Sequence, residues 1–250
     1  MAERPVVPLK PGNAGGGKGP WFKSNARRSK GKEIGVSLIT PESVWQLQEA
    51  LQAKAKREPA CRFHSLYDKL YRKDVLLHAW RCCRANGGAP GVDGVRWQEY
   101  EEGLEERLAE LKDRIHRGAY RAQPSRRIYI PKADGRQRPI GIAAMEDKIV
   151  QQAVVTILNE IYEVDFRGIS YGFRPGRSAH DAVRAAQTYA QSGKDWVVDL
   201  DITKFFDHVN HDILMTRIGQ TIRDKRVLRL IGRYLRAGVM IEGVVQESEE

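Results

Sequence analysis

Two aspartates one residue apart, within Val197-Val-Asp-Leu-Asp-Ile-Thr-Lys-Phe-Phe-Asp207, are the side chains in this sequence best suited to hold a divalent cation. In an extended chain successive side chains alternate, so Asp199 and Asp201 share one face while Val198, Leu200 and Ile202 share the other and can be buried. A carboxylate at a strand end, beside backbone carbonyls, offers the hard oxygen ligands that Mg²⁺ prefers. For an isolated Asp-x-Asp pair a solvent-facing strand edge followed by an N-capping Asp is the commoner outcome, so spacing alone does not decide it. Lys132 and Arg138 flank a turn at Ala133-Asp134-Gly135, a point charge and a bidentate fork suited to phosphate oxygens. His208 and His211 are three apart, but no cysteine or further histidine sits at zinc-ligand spacing.

These groups need elements to hold them. Val44, Leu47 and Leu51 predict an amphipathic helix from Pro41. Leu66, Leu70, Leu77 and Trp80 predict a second over about 65–85, stopped at Asn86-Gly87-Gly88. Residues 97–116 carry Tyr100, Leu104, Leu108, Leu111 and Ile115 at helical period, with an outward face of glutamates. Residues 126–131 and 138–142 read as a β-hairpin bearing cations. Helices follow over about 146–163, after Ser178 as N-cap, over 210–219 and over 224–236. The pattern predicts a strand over 195–202 and a further hairpin from Gly238.

Charge points to the partner. The 250 residues hold 42 Lys and Arg against 32 Asp and Glu, a net +10 that suits a polyanion. Residues 1–32 carry eight of the cations and only Glu3, so the remaining patches must be local. Glycines and prolines there, with little apolar surface, predict a flexible basic arm over residues 1–40. Trp21 and Phe22 among its cations could stack on single-stranded bases. Cys82 and Cys83 are adjacent and the third cysteine, Cys61, is distant, which excludes a disulfide scaffold and favours an intracellular protein. No run of about 18 apolar residues is present, so no membrane span is expected.

Four segments in order resemble the reverse transcriptases encoded by bacterial group II introns. They are Asn86-Gly-Gly-Ala-Pro-Gly-Val-Asp-Gly94, Ile130-Pro-Lys-Ala-Asp-Gly-Arg-Gln-Arg-Pro-Ile-Gly-Ile142, Tyr171-Gly-Phe-Arg-Pro-Gly-Arg-Ser178 and Asp201-Ile-Thr-Lys-Phe-Phe-Asp-His-Val-Asn-His211. The resemblance implies an α+β right-hand polymerase, helix-rich, with a helical N-terminal extension over 41–125, fingers over 126–194 and an incomplete palm over 195–250. It implies that Asp201 is catalytic and holds Mg²⁺ together with the Ile202 backbone carbonyl. Phe206 would crowd a 2′-hydroxyl, with one of Phe205 and Phe206 in the core. Lys132 and Arg138 would grip the nucleotide triphosphate. Asn86, Gly87 and Gly88 would close over the template, and Arg174 and Arg177 would contact template or primer phosphates, although the sequence leaves a salt bridge to a neighbouring acid equally open for either. The implied partners are intron RNA, an RNA template with DNA primer, and dNTPs, in a bacterial cytoplasm.

A two-metal polymerase needs more than one carboxylate, and this sequence contains no Asp-Asp dipeptide. The expectation is an N-terminal portion of an RNA-directed DNA polymerase and maturase, inactive alone and poorly soluble or partly disordered in its last quarter. A non-catalytic RNA-binding remnant, or an antiphage or CRISPR-linked reverse transcriptase, are the alternatives.

Overall fold

The computed structural model describes residues 39–131, 135–203 and 205–246, the side chain of Asp207 excepted. Nearly all of the expected basic arm, with Trp21 and Phe22, lies outside the described residues, and so does Lys132 with the adjoining Ala133 and Asp134 of the turn.

Helix α1 (Glu42–Arg57) begins directly after Pro41 and buries Val44, Gln48, Leu51 and Ala55, a stripe at helical spacing. The single helix expected over 65–85 is two: α2 (Tyr67–Leu70) and α3 (Lys73–Asn86). Arg72 is extended between them (φ −61°, ψ 136°). Asp74 holds that break, its carboxylate accepting from the Arg72 guanidinium at 2.5 Å and from Ser43 Oγ at 2.6 Å. Residues 97–116 likewise divide into α4 (Trp97–Glu101) and α5 (Leu104–His116), parted at Gly103, whose φ of +73° suits glycine. Periodicity shows the buried stripe but not these breaks, because each half keeps the same face inward.

Helix α6 (Met145–Tyr162) is central and packs against α1, α2 and α3. Its buried positions surround most of the helix, which is why the segment is apolar well beyond a single stripe. It also buries Asp147, which accepts from the Tyr120 hydroxyl and from the Gln123 N–H at 2.9 Å. Burial raises the Asp147 carboxyl, and these two bonds offset part of that rise. The Tyr120 and Tyr234 hydroxyls are 2.6 Å apart, so the network ties α6 to α9 (Lys225–Leu235). Helix α7 (Ala179–Gln191) buries no residue, and α8 (His211–Thr221) leads into α9.

Strands β1 (Ser125–Pro131) and β2 (Gln137–Ile142) form the expected antiparallel hairpin, with Ile128 opposite Ile140. The final hairpin, β3 (Val239–Ile241) and β4 (Val244–Gln246), does not stand apart from it. β3 runs parallel to β1, giving the order β2-β1-β3-β4, so one sheet spans the boundary expected at 194/195. The core is also shared: Val44, Leu76, Leu111, Ile149 and Ile222 are all fully buried in one cluster. The chain is therefore a helix-rich α+β fold with a small mixed sheet.

The strand expected over 195–202 is absent. Residues 195–202 are irregular, and Val198, Leu200 and Ile202 are 68–89% exposed instead of buried. An extended segment gains from β structure only when a neighbour completes its hydrogen-bond ladder. Among the described residues none of β1–β4 pairs with it.

Candidate functional site

The loop from Asn86 to Gly94 is built onto the hairpin and α6. Asn86 ends α3, and Gly87 caps it in the left-handed conformation (φ +60°), donating to the Arg84 carbonyl at 3.0 Å. Arg126 on β1 donates to the Pro90 carbonyl at 2.7 Å, and Lys148 on α6 to the Ala89 carbonyl at 2.5 Å. Asp93 accepts from the Met145 N–H at 2.7 Å, holding the first turn of α6. Arg126, Lys148 and Asp93 were not singled out in the sequence, since partners 36 to 59 residues away leave no local signature.

Gly91 has a packing role. A Cβ there would lie 2.4 Å from the Ala143 carbonyl oxygen, and backbone cannot yield as a flexible side chain would. Gly91→Ala is expected to cost about 2–3 kcal/mol, read as a lower denaturation midpoint with an unchanged slope. Gly88 is looser, its nearest neighbour being Lys148 Nζ at 3.7 Å.

Beneath the loop lies a cavity of about 220 Å³ walled by Cys83, Trp97, Ile140, Ile142, Met145 and Lys148. Burial lowers the Lys148 ammonium from the usual lysine range, while Cys83 and Asp93 restore part of it. Burial, reinforced by Cys82, pushes the Cys83 thiol up to about 12, so it stays protonated and unreactive at neutral pH. In the β1–β2 register Arg138 sits opposite Ile130, two residues along the strand from Ile140 and four from Ile142. Arg138 is thus an exposed cation on the sheet face that walls this cavity.

The 171–178 segment divides its two arginines between different duties. Arg174 is buried, donating to Glu163 Oε1 from Nη2 at 2.7 Å and from Nε at 3.0 Å, and from Nη1 to the Arg167 and Ser170 carbonyls at 2.7 and 2.8 Å. Its guanidinium also lies over the Phe166 ring. The direct phosphate contact expected of Arg174 gives way to a structural role, because its donors are spent on this loop. Arg177 is exposed, stacked 5.4 Å from the Tyr171 ring, and makes one bond to the Gly168 carbonyl at 3.1 Å. Ser178 caps α7 as expected, its Oγ accepting from the Asp181 N–H while Asp181 reaches back to the Ser178 N–H at 2.9 Å.

Asp201 and Ile202 lie on the exposed irregular segment, and Asp201 makes no hydrogen bond or ion pair among the described residues. Phe206 is 83% exposed in a 3-10 turn, edge-on to Phe205 at 5.3 Å. Phe205 is itself 51% exposed, so neither ring is core. The structure brings Asn86, Gly88 and Ala89 of the loop to this cavity with Ile140 and Ile142 of β2, whereas Arg138 lies further along β2 outside its lining, and no contact joins Asp201 to either among the described residues. Among the described residues no group of three His, Cys, Asp or Glu could hold a metal.

Over residues 130–248 the sequence matches the reverse transcriptase (RNA-dependent DNA polymerase) family. Protein YkfC of Escherichia coli is 35% identical over 211 residues, covering 82% of this chain and 55% of that protein. The group II intron-encoded protein LtrA of Lactococcus lactis is 35% identical over 179 residues, 71% of this chain and 30% of LtrA. Nuclear intron maturase 1 of Arabidopsis thaliana, a mitochondrial protein, is 32% identical across 87% of this chain and 32% of its own length. The chain thus spans about half the length of the first of these relatives and about a third of the other two.

Proposed function

The chain belongs to the reverse transcriptases of the group II intron-encoded type, and from that premise we propose that it forms the fingers and opening palm of an RNA-directed DNA polymerase and intron maturase. The observation that carries this reading is that one family match, 130–248, spans Arg138, the 171–178 loop, Asp201 and Phe206. Residues 41–125 form the helical extension, 126–194 the fingers and 195–250 the start of the palm.

In this reading intron RNA and a primed RNA template are the nucleic-acid partners and dNTPs the substrates. Asn86, Gly87 and Gly88 form a backbone ledge for the template, held in place by the Arg126 and Lys148 bonds to Pro90 and Ala89. Lys132, which follows β1 in sequence, and Arg138 on β2 grip the triphosphate. Arg177 offers its exposed guanidinium to a backbone phosphate, and Arg174 positions it by fixing the loop. Phe206 presents a flat ring against the sugar and excludes a 2′-hydroxyl.

The Asp201 carboxylate is exposed and unengaged among the described residues, which fits a Mg²⁺ ligand, with the Ile202 carbonyl as a second oxygen. When bound, Mg²⁺ supplies charge neutralisation of the triphosphate and activation of the primer hydroxyl. One carboxylate cannot balance two such ions, so Asp201 acts with further acidic residues. No described helix is long and apolar enough to cross a membrane.

Primer extension tests this. On an oligo(dT)-primed poly(rA) template with dTTP and Mg²⁺, the chain alone is expected to yield no product. Joined in frame to the carboxylate-bearing portion of a relative, it is expected to extend the primer, and Asp201→Ala in that fusion to return synthesis to background. Undiminished synthesis by Asp201→Ala would overturn the reading. A non-catalytic RNA-binding module would instead bind the template and extend in neither form.

A further inference from the structure

Helix α9 carries Lys225, Arg226, Arg229 and Arg233, and Arg236 at its C-cap. At 100° per residue these five cations fall within an arc of about 100°, along a stripe about 16 Å long. Four are exposed and Arg233 is half-buried. The other side of the helix is spent on the core: Val227 and Leu230 are buried, and Leu228, Ile231 and Tyr234 pack against the same cluster.

Nothing described in the chain balances this charge. Among the described residues no carboxylate makes an ion pair with any of the five. The adjacent acid, Asp224, is committed to backbone N–H groups of residues 66, 67, 226 and 227. Cations at i,i+3 and i,i+4 repel along the stripe, and Lys225 and Arg226 sit at the helix end whose dipole disfavours them. Two of the arginines are nonetheless set in place. The Arg226 guanidinium lies 4.7 Å from the Tyr67 ring, and Arg233 Nη1 donates to the Tyr120 carbonyl at 3.0 Å.

We propose that this face of α9 docks the phosphate backbone of folded RNA. The inference rests on the RNA-binding reading above and adds a surface that none of the four motifs contains. Four guanidiniums supply forks matched to phosphate oxygens. A lipid surface fits less well, because the apolar side of α9 is already buried and leaves nothing to insert into acyl chains.

The test uses the full chain and a fluorescein-labelled RNA hairpin, with anisotropy followed from about 50 to about 200 mM KCl. Combining Lys225→Gln, Arg229→Gln and Arg236→Gln is expected to weaken binding at low salt about tenfold or more. It should also flatten the slope of log affinity against log salt by about 2 to 3. A control of equal charge, Arg57→Gln with Lys112→Gln and Arg117→Gln, should keep the wild-type slope. Circular dichroism should show the same helix content in all three proteins, since every substituted side chain is exposed.

An α9 variant that binds like wild type, or a control that loses as much, overturns the α9 surface and leaves the polymerase reading standing. Wild-type protein that binds no RNA at any salt overturns both. Binding to vesicles of anionic lipid without binding to RNA also overturns the proposal.

Discussion

Asp224→Ala is expected to destabilise the protein by about 3–5 kcal/mol, a large share of the stability of an ordinary domain. One carboxylate here does two jobs. Oδ1 caps α9, accepting from the Arg226 and Val227 N–H groups at 3.0 and 3.4 Å. Oδ2 accepts from the Leu66 and Tyr67 N–H groups at 2.9 and 2.8 Å, from 158 and 157 residues away in sequence. Losing the cap costs about 1 kcal/mol, and each buried N–H left without an acceptor about 1–3 kcal/mol.

Asn is expected to recover only the capping part, because its amide would set a donor against the Leu66 and Tyr67 donors. Burial by itself would raise the Asp224 carboxyl, but the four N–H bonds outweigh it and hold the pKa below the usual value. A depressed folded pKa means that this stabilisation is complete above the unfolded carboxyl pKa of about 4 and is lost as pH falls below it. Urea denaturation of wild type and Asp224→Ala should therefore differ most at neutral pH and converge in acid. A difference under about 1 kcal/mol at pH 7 would remove Asp224 as the clasp between α2 and α9.

Arg174→Ala is the second large effect, and it should be local. Removing the guanidinium takes away all three Glu163 bonds and leaves the Arg167 and Ser170 carbonyls without their donor. Breaking a buried pair from one side costs about 3–5 kcal/mol. Helix α7 buries nothing against the core, so the 166–178 loop can open without unfolding the rest. Trypsin cleavage within that loop is expected to accelerate about 100-fold or more, the equivalent of about 3 kcal/mol, with little change in the global melt. Arg174→Lys should not rescue it, since a single ammonium cannot reproduce the planar fork. Wild-type protection in Arg174→Ala would show that the loop is held by something else.

Much of the helical architecture is legible along the chain. The stripe from Val44 to Ala55, the glycine stop after Asn86, the Ser178 cap and the 125–142 hairpin all arise from interactions within a few residues. The four motifs were readable in the same way, because each is contiguous. The breaks at Arg72 and Gly103 were not, since both halves present the same apolar face. Asp224 carried a local hint, an acid placed before an apolar-periodic helix, which marks a cap but not the second pair of donors.

The sequence by itself determined the family, the residue types of the site and the local elements, because period, capping and turn chemistry act over one or two helical turns. Tertiary structure alone decided that Arg174 is buried while Arg177 faces solvent, that β3 joins β1, and that four of the five α9 cations are exposed. It also decided that residues 195–202, alternating as a strand should, stay irregular and exposed. Alternation sets which side chains share a face, whereas hydrogen bonding to a neighbouring strand and exclusion of water are properties of distant chain brought near.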